Sequence, residues 1–200
     1  MYKRQDNYRN GDAIPSDLDD TSWSLTDDGA SIYGSDIGQC DDAYAGFDAC
    51  TDAETSLAVY GRLYNFGAAI NSRGLCPNSW HVSTDTDWFE LELLFGLDED
   101  LLQQTGYRGD IAPQLRAVSD LWWDYLDSES NNSSGLSFMP GGSRNYIGDY
   151  INAGDAGYCW APNVSEEAYY RYMNFGNNGV DRDLNDPHAG MSVRCIKDAE

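Results

Sequence analysis

The hydrophobic positions along this chain come in short bursts separated by polar turns, and they change period several times. The strongest helical signal lies over residues 84–95. Trp88, Leu91, Leu94 and Phe95 recur at helical spacing, which predicts one apolar face. Thr84 is placed to cap this helix, Asp87 occupies the reciprocal position of a capping box, and Gly96 can end it. A second helix is predicted over Ile111–Val118, with Pro113 in its first turn and Leu115 and Val118 facing the core. Residues 60–82 read as strand, short helix and strand. Leu63, Phe66, Ala69 and Ile70 have helical spacing, and Trp80-His81-Val82 is extended. Residues 167–175, EAYYRYMNF, alternate as a strand, and Met191–Ile196 closes the chain as another. Residues 127–134 are a polar loop, Pro140-Gly141-Gly142 is a turn, and residues 176–190 read as loop. Residues 1–59 are acidic and turn-rich, with Trp23 and Tyr33 as apolar anchors. No tandem repeat is present. The pattern predicts a loop-rich fold of short elements, not a helical bundle.

Composition sharpens this picture. Two hundred residues suffice for one sizeable domain, and 41% hydrophobic with 13% aromatic residues can build its core. The formal net charge of -22 sets the chain against phosphate backbones and anionic lipid surfaces, so no nucleic-acid partner and no direct membrane insertion are expected. Met1-Tyr2-Lys3-Arg4-Gln5 leads into polar residues and not into an apolar signal segment, so residues 1–7 are expected to be poorly ordered or an artefactual start. So many carboxylates mostly solvate a surface, but two tracts could attract calcium. One is Asp181, Asp183 and Asn185, and the other is the Cys40–Asp52 loop with Asp41, Asp42, Asp48 and Asp52.

Five cysteines are present, with no C-x-x-C pair, so a zinc site is not indicated. Cys40 and Cys50 bracket a short acidic loop and could close on each other. Cys76 and Cys195 could close a loop around most of the body, contributing about 4–5 kcal/mol. Such bonds would place the chain in an oxidising compartment; free buried cysteines in a cytoplasmic protein are the alternative. No nucleophile elbow, zinc-helix or phosphate-loop motif occurs. Of the two histidines, His81 beside Trp80 reads as structural.

Longer ordered stretches carry a resemblance. Tyr60–Trp88 (YGRLYNFGAAINSRGLCPNSWHVSTDTDW), Pro140-Gly141-Gly142-Ser143-Arg144-Asn145, Ala168-Tyr169-Tyr170-Arg171-Tyr172 and Ser192-Val193-Arg194-Cys195 resemble the Fibrobacter succinogenes major paralogous domain. Tyr8–Pro15 resembles its start, so the likeness runs from about Tyr8 to Lys197. That family resembles the C-type-lectin-like superfamily, which also contains formylglycine-generating enzymes. The resemblance implies an α+β, C-type-lectin-like fold: two helices flanking small, irregular antiparallel sheets, neighbouring termini and a loop-rich C-terminal half. It implies one domain over 8–198, with 8–59 packed on a 60–198 body. It also implies a Cys76–Cys195 bond, with Cys159 as the odd cysteine.

The function expected from this resemblance is a non-catalytic binding module, secreted or displayed on a cell surface or phage particle. Its partner would be a protein or glycan on a cell surface. The candidate contact residues are Tyr146, Tyr150, Tyr170, Tyr172, Asn174, Asn177, Asn178, Asp181, Asp183, Asn185 and His188, because Tyr and Asn supply adaptable contact area. On an alternating strand about half of such tyrosines point inward. The tract Asn174–His188 resembles the diversified segment of variable proteins of diversity-generating retroelements, with Val180, Asp181, Asp183, Leu184, His188 and Cys159 as scattered departures. The alternatives are a structural or adhesive fibre-tip module and a formylglycine-generating-type enzyme, which would need a cysteine pair such as Cys159 and Cys195.

Overall fold

The computed structural model describes residues 4–34, 40, 47–123 and 129–199. Helix α1, Asp20–Leu25, follows an Asp19 cap, and strand β1 is Ala30–Ile32. Helix α2, Ala53–Val59, is capped by Asp52, and strand β2 is Arg62–Tyr64. Helix α3, Phe66–Ala69, precedes β3, Trp80–Val82, and α4, Asp85–Leu94. Strand β4, Gly106–Arg108, and α5, Ala112–Leu115, complete the first half. The second half holds β5 (Gly141–Arg144), β6 (Tyr150–Ala153), β7 (Ala156–Trp160), β8 (Tyr169–Asn174), β9 (Val180–Leu184) and β10 (Cys195–Lys197).

The architecture is mixed α+β. Strands β1–β2 and β3–β10 form two small antiparallel sheets, and a six-stranded sheet runs β4-β9-β8-β7-β5-β6. Its pairs are antiparallel except β5–β7, which meet in parallel at Gly142 and Gly157. The expectation of two helices and purely antiparallel sheets is therefore corrected. Five short α-helices occur among the described residues, and the large sheet is mixed. The two helices that the pattern does not predict, α1 and α2, lie in the acidic segment that reads as turns, whereas α3 is the short helix read within residues 60–82. The acids that suggest turns are their caps: Asp19 accepts from the Ser22 N–H at 2.7 Å and Asp52 from the Thr55 N–H at 2.9 Å.

Helix α4 carries the predicted box, with Thr84 Oγ1 accepting from the Asp87 N–H and Asp87 Oδ2 accepting from the Thr84 N–H. Gly96 leaves the helix at φ +98°, a conformation that costs a residue with a Cβ. The buried face differs in part from the predicted one. Trp88 is buried and Leu91 and Phe95 pack against the core as predicted, but Leu94 is 77% exposed and Asp85 and Glu92 also point inward. Helix α5 is only four residues long, and Val118 is exposed beyond it while Leu115 is buried. The Pro140-Gly141-Gly142 stretch, expected as a turn, runs into β5. The 176–190 tract, expected as loop, contains β9. The predicted 191–196 strand is split: Met191 and Ser192 make isolated bridges to Tyr64 and Cys159, and regular pairing resumes at Cys195.

Both disulfides are present. Cys40–Cys50 and Cys76–Cys195 each have a Cα–Cα distance of 5.8 Å, and Cys159 is the buried free thiol. The two ends of the chain meet at β3. Arg9 donates to the carbonyls of Cys76 (2.8 Å) and Trp80 (3.0 Å), and β10 pairs along β3's other side. The N-terminal segment is locked onto the body through Trp23, whose Nε1 donates to the Asn145 carbonyl at 3.0 Å. Its ring lies 4.5 Å from the buried Arg144 guanidinium, which itself donates to the carbonyls of Leu18 and Gly148. Trp23 and Tyr33, the two expected anchors, are 0% and 1% exposed.

His81 fastens the same junction. Its Nδ1 lies 2.7 Å from Asp198 Oδ1 and its Nε2 lies 3.1 Å from Asp87 Oδ2, so it joins β10 to the start of α4. The Asp198 hydrogen bond is the main cause that raises its pKa above 6.5, with Asp87 assisting against burial. A histidine raised in the folded state stabilises most below its unfolded pKa, and that contribution fades as pH rises through the folded value. Melting curves of the wild type and His81→Gln from pH 5.5 to 8.5 should converge as pH increases. A gap that stays constant or widens would show that the charged form of His81 adds nothing.

Candidate functional site

The six-stranded sheet has two unlike faces, and strand alternation decides which residues meet on each. Directly paired residues share a face. Tyr107 pairs with Asp181, Asp181 with Tyr172, and Tyr172 with Tyr158, which places a Tyr-Asp-Tyr-Tyr row across β4, β9, β8 and β7. The adjoining row runs from Asp183 to Tyr170 to the buried Trp160. The tyrosine rings contact one another. Centroids are 5.8 Å apart for Tyr107–Tyr172, 4.8 Å for Tyr158–Tyr172 and 6.1 Å for Tyr158–Tyr170.

Polar side chains fix these rings. Asn174 Nδ2 donates to the hydroxyls of Tyr107 at 3.0 Å and Tyr172 at 3.1 Å, and Asn152 Nδ2 donates to the Tyr158 hydroxyl at 2.6 Å. Burial raises the phenol pKa of Tyr107 and Tyr158, and it pushes Tyr170 up to about 12 with help from Asp181 and Asp183. Tyr107, Tyr158 and Tyr170 therefore stay neutral over any physiological pH and can donate hydrogen bonds. Asp181 is half-buried beside the rings, and its pKa is raised by burial and then by Asp183.

The opposite face is sealed by helix α4. Arg171 and Arg182 alternate inward from β8 and β9, and Arg108 joins them from β4. Glu92 accepts from Arg108 Nη2 at 2.7 Å and Arg171 Nε at 2.6 Å. Asp85 accepts from Arg171 Nη1 and Arg182 Nη2, both at 2.7 Å. Phe89 lies under Arg171 and Arg182 at 5.4 and 5.3 Å from ring centroid to guanidinium. All five charged residues are buried, so this network holds α4 to the sheet and offers nothing to solvent.

Of the residues expected from sequence to form the site, Tyr170, Tyr172, Asn174, Asp181 and Asp183 converge on the tyrosine face. Tyr150 is corrected. It is 1% exposed in the core beneath β6, with its hydroxyl against Ser31. Tyr146 is exposed on the β5–β6 turn, two strands along the sheet from β8. Asn177 and Asn178 shape the β8–β9 turn. Asn177 accepts from the Gly179 N–H at 2.8 Å, and Asn178 meets Arg116 at 3.3 Å. Arg116 is buried, which pulls its pKa down to about 10, and it also donates to the carbonyls of Asn174 and Phe175. Asn185 lies past β9, and His188 is bonded to Asp186 at 3.0 Å. Tyr107 and Tyr158 were missing from the sequence-based set. The Tyr158-x-Trp160 alternation opposite Tyr170-x-Tyr172 was the signal for one of them.

Among the described residues, no group of three or more His, Cys, Asp or Glu is placed to hold a metal ion. Asp41 and Asp42 of the second calcium tract lie outside the described residues, and Asp52 is spent on capping α2. Two of the residues read as scattered departures, Val180 and Cys159, are fully buried, so only Asp181, Asp183, Leu184 and His188 of that set reach solvent. The cysteine pair needed for formylglycine-type chemistry is not formed. Cys195 is bonded to Cys76, and burial pushes the Cys159 thiol up to about 11, away from the nucleophilic thiolate. A surface concavity of about 280 Å³ lies away from the tyrosine row, between Arg9, Ile70, Trp80, His81 and Glu166. His81 in its wall already has both ring nitrogens engaged.

No helix among the described residues is long and apolar enough to cross a membrane. Comparison with curated proteins and with solved structures returns no match. The family comparison does: residues 4–197 match the Fibrobacter succinogenes major domain, and because the match spans nearly the whole chain, the protein belongs to that family.

Proposed function

We propose that this domain is a non-catalytic ligand-binding module of an exported or surface-displayed protein, and that the tyrosine face is its contact surface. The observation that carries the reading is the ring cluster Tyr107–Tyr172–Tyr158–Tyr170, pinned by Asn174 and Asn152 on a sheet whose back is locked by buried ion pairs. Tyrosines bring large amphipathic area with only two side-chain torsions each, and fixing them in advance lowers the entropy lost on binding. Two disulfides fit an oxidising, extracytoplasmic setting. The meeting of the N- and C-terminal segments at β3 supports a C-type-lectin-like arrangement. The partner is a protein or glycan on a cell surface.

The placement of Asn174, Asp181 and Asp183 on this face, within the tract that resembles a diversified segment, favours a variable protein of a diversity-generating retroelement. A reverse transcriptase gene and a template repeat beside the gene would support that origin, and their absence would remove it. The binding reading is tested on glycan and cell-surface protein arrays. Wild type should bind a ligand that Tyr107→Ala/Tyr172→Ala loses by at least about tenfold, since central aromatic contacts are typically worth 2 kcal/mol or more. Equal binding by both proteins would place the contact surface elsewhere.

A further inference from the structure

The charges on the two sides of the large sheet are treated differently. On the α4 side every carboxylate of the network is held by arginine, and three guanidiniums meet two carboxylates. On the tyrosine side Asp181 and Asp183 project from β9 two residues apart, and neither has an ion-pair partner among the described residues. Asp181 sits between Tyr107 and Tyr172 in the cross-strand row, and Asp183 stands beside Tyr170 in the next. Partial burial, and then the charge of Asp183, hold Asp181's pKa above the usual carboxylate value against the pull of Arg108 and Arg171 behind the sheet. Two neighbouring carboxylates with no ion-pair partner on their own face, set among electron-rich ring faces, are complementary to a cation. The carboxylates supply charge-assisted hydrogen bonds, and the rings supply cation–π attraction.

We infer that the tyrosine face recognises a lysine or arginine side chain presented by a basic polypeptide partner. The inference rests on the reading of this face as a binding surface and names the chemistry that it selects. A polypeptide fits better than a lipid headgroup because the chain's net charge of -22 repels anionic membranes and steers basic proteins toward it. The edge position of β4 also leaves Tyr107, 43% exposed, open to an approaching segment.

The test uses the intact domain and a short blocked peptide carrying two lysines, with its Nε-acetylated counterpart as the uncharged control. Binding is followed by tyrosine side-chain NMR shifts. The expected result is that the lysine peptide shifts Tyr107 and Tyr172 signals, binds at least tenfold more tightly than the acetylated peptide, and weakens as salt is raised. Asp181→Asn/Asp183→Asn should remove that preference while keeping the wild-type melting temperature within a few degrees. Equal affinity for the two peptides, no binding of either, or shifts confined to other residues would overturn the inference. If arrays then yield an uncharged ligand that Tyr107→Ala/Tyr172→Ala loses, the binding face stands and only its preference for a cation fails. If the arrays yield none, both fail.

Discussion

Replacing Glu92 by alanine should destabilise this domain more than any other single change on helix α4. Glu92 is 0% exposed and accepts from Arg108 and Arg171 at 2.7 and 2.6 Å. Its removal leaves three buried guanidiniums to one carboxylate: Arg108 loses its ion-pair partner, and Arg171 keeps only Asp85, which Arg182 already engages through two nitrogens. Breaking a buried pair from one side costs about 3–5 kcal/mol, because the remaining charge keeps its desolvation penalty and loses its compensation. For a chain of this length each kcal/mol moves the melting temperature by about 2–4 °C, so a fall of about 6–20 °C is expected. Glu92→Gln keeps an acceptor oxygen and should fall in between. Glu90, exposed on the opposite side of the same helix, is the control. Glu90→Ala should change stability by less than about 0.5 kcal/mol. Equal melting temperatures for Glu92→Ala and Glu90→Ala would show that the network does not hold α4. A loss in the Glu92 variants of the affinity carried by the tyrosine face would further show that the front of the sheet depends on its locked back.

That network also explains what could and could not be read from the chain. Helix α4 was legible because its signals are local. Thr84, Asp87 and Gly96 lie within one turn of its ends, and cap chemistry does not depend on the rest of the fold. Its buried face was legible only in part: Trp88, Leu91 and Phe95 pack on the core, and the inward acids were missed. Asp85, Trp88 and Glu92 have helical spacing, but two of them are acids, and an acid faces inward only if an arginine waits there. The arginine that meets Asp85 from β9 lies 97 residues further on. The same fact hid β9. Val180-Asp181-Arg182-Asp183-Leu184 alternates properly, yet its inward positions are a valine and an arginine, so it reads as polar loop until Asp85 is placed beneath it. The binding face was legible by half for a related reason. Alternation on β8 identified Tyr170, Tyr172 and Asn174, whereas Tyr107 joins them only through the β4–β9 register, which no local pattern encodes. Tyr150 went the other way. It was chosen as a surface tyrosine, but β6 turns that position toward Tyr33 and Ser31.

Loss of the Cys76–Cys195 bond should have the other large effect, and of a different kind. The bond spans 119 residues and ties the segment before β3 to the start of β10. In the chain-entropy picture, a cross-link of that length removes enough freedom from the unfolded chain to contribute about 5 kcal/mol, against about 3 kcal/mol for the ten-residue Cys40–Cys50 loop. Cys76→Ala/Cys195→Ala should therefore lower the melting temperature by about 10–20 °C, and Cys40→Ala/Cys50→Ala by roughly half as much. The local contacts around the long bond need not change for this to happen. The β3–β10 ladder, the Arg9 hydrogen bonds and the His81 bridge to Asp198 all remain available in the variant. The folded variant should keep the wild-type circular dichroism and its ligand affinity below its melting point, while urea unfolds it at a lower midpoint. A long-loop variant as stable as the short-loop one would contradict the entropic account, and would mean that β10 is held by its strand pairing with β3 alone. A variant that folds but loses binding would show instead that closure at β3 is transmitted through the C-terminal segment, whose Ser192 bridges Cys159 on the strand that carries Tyr158.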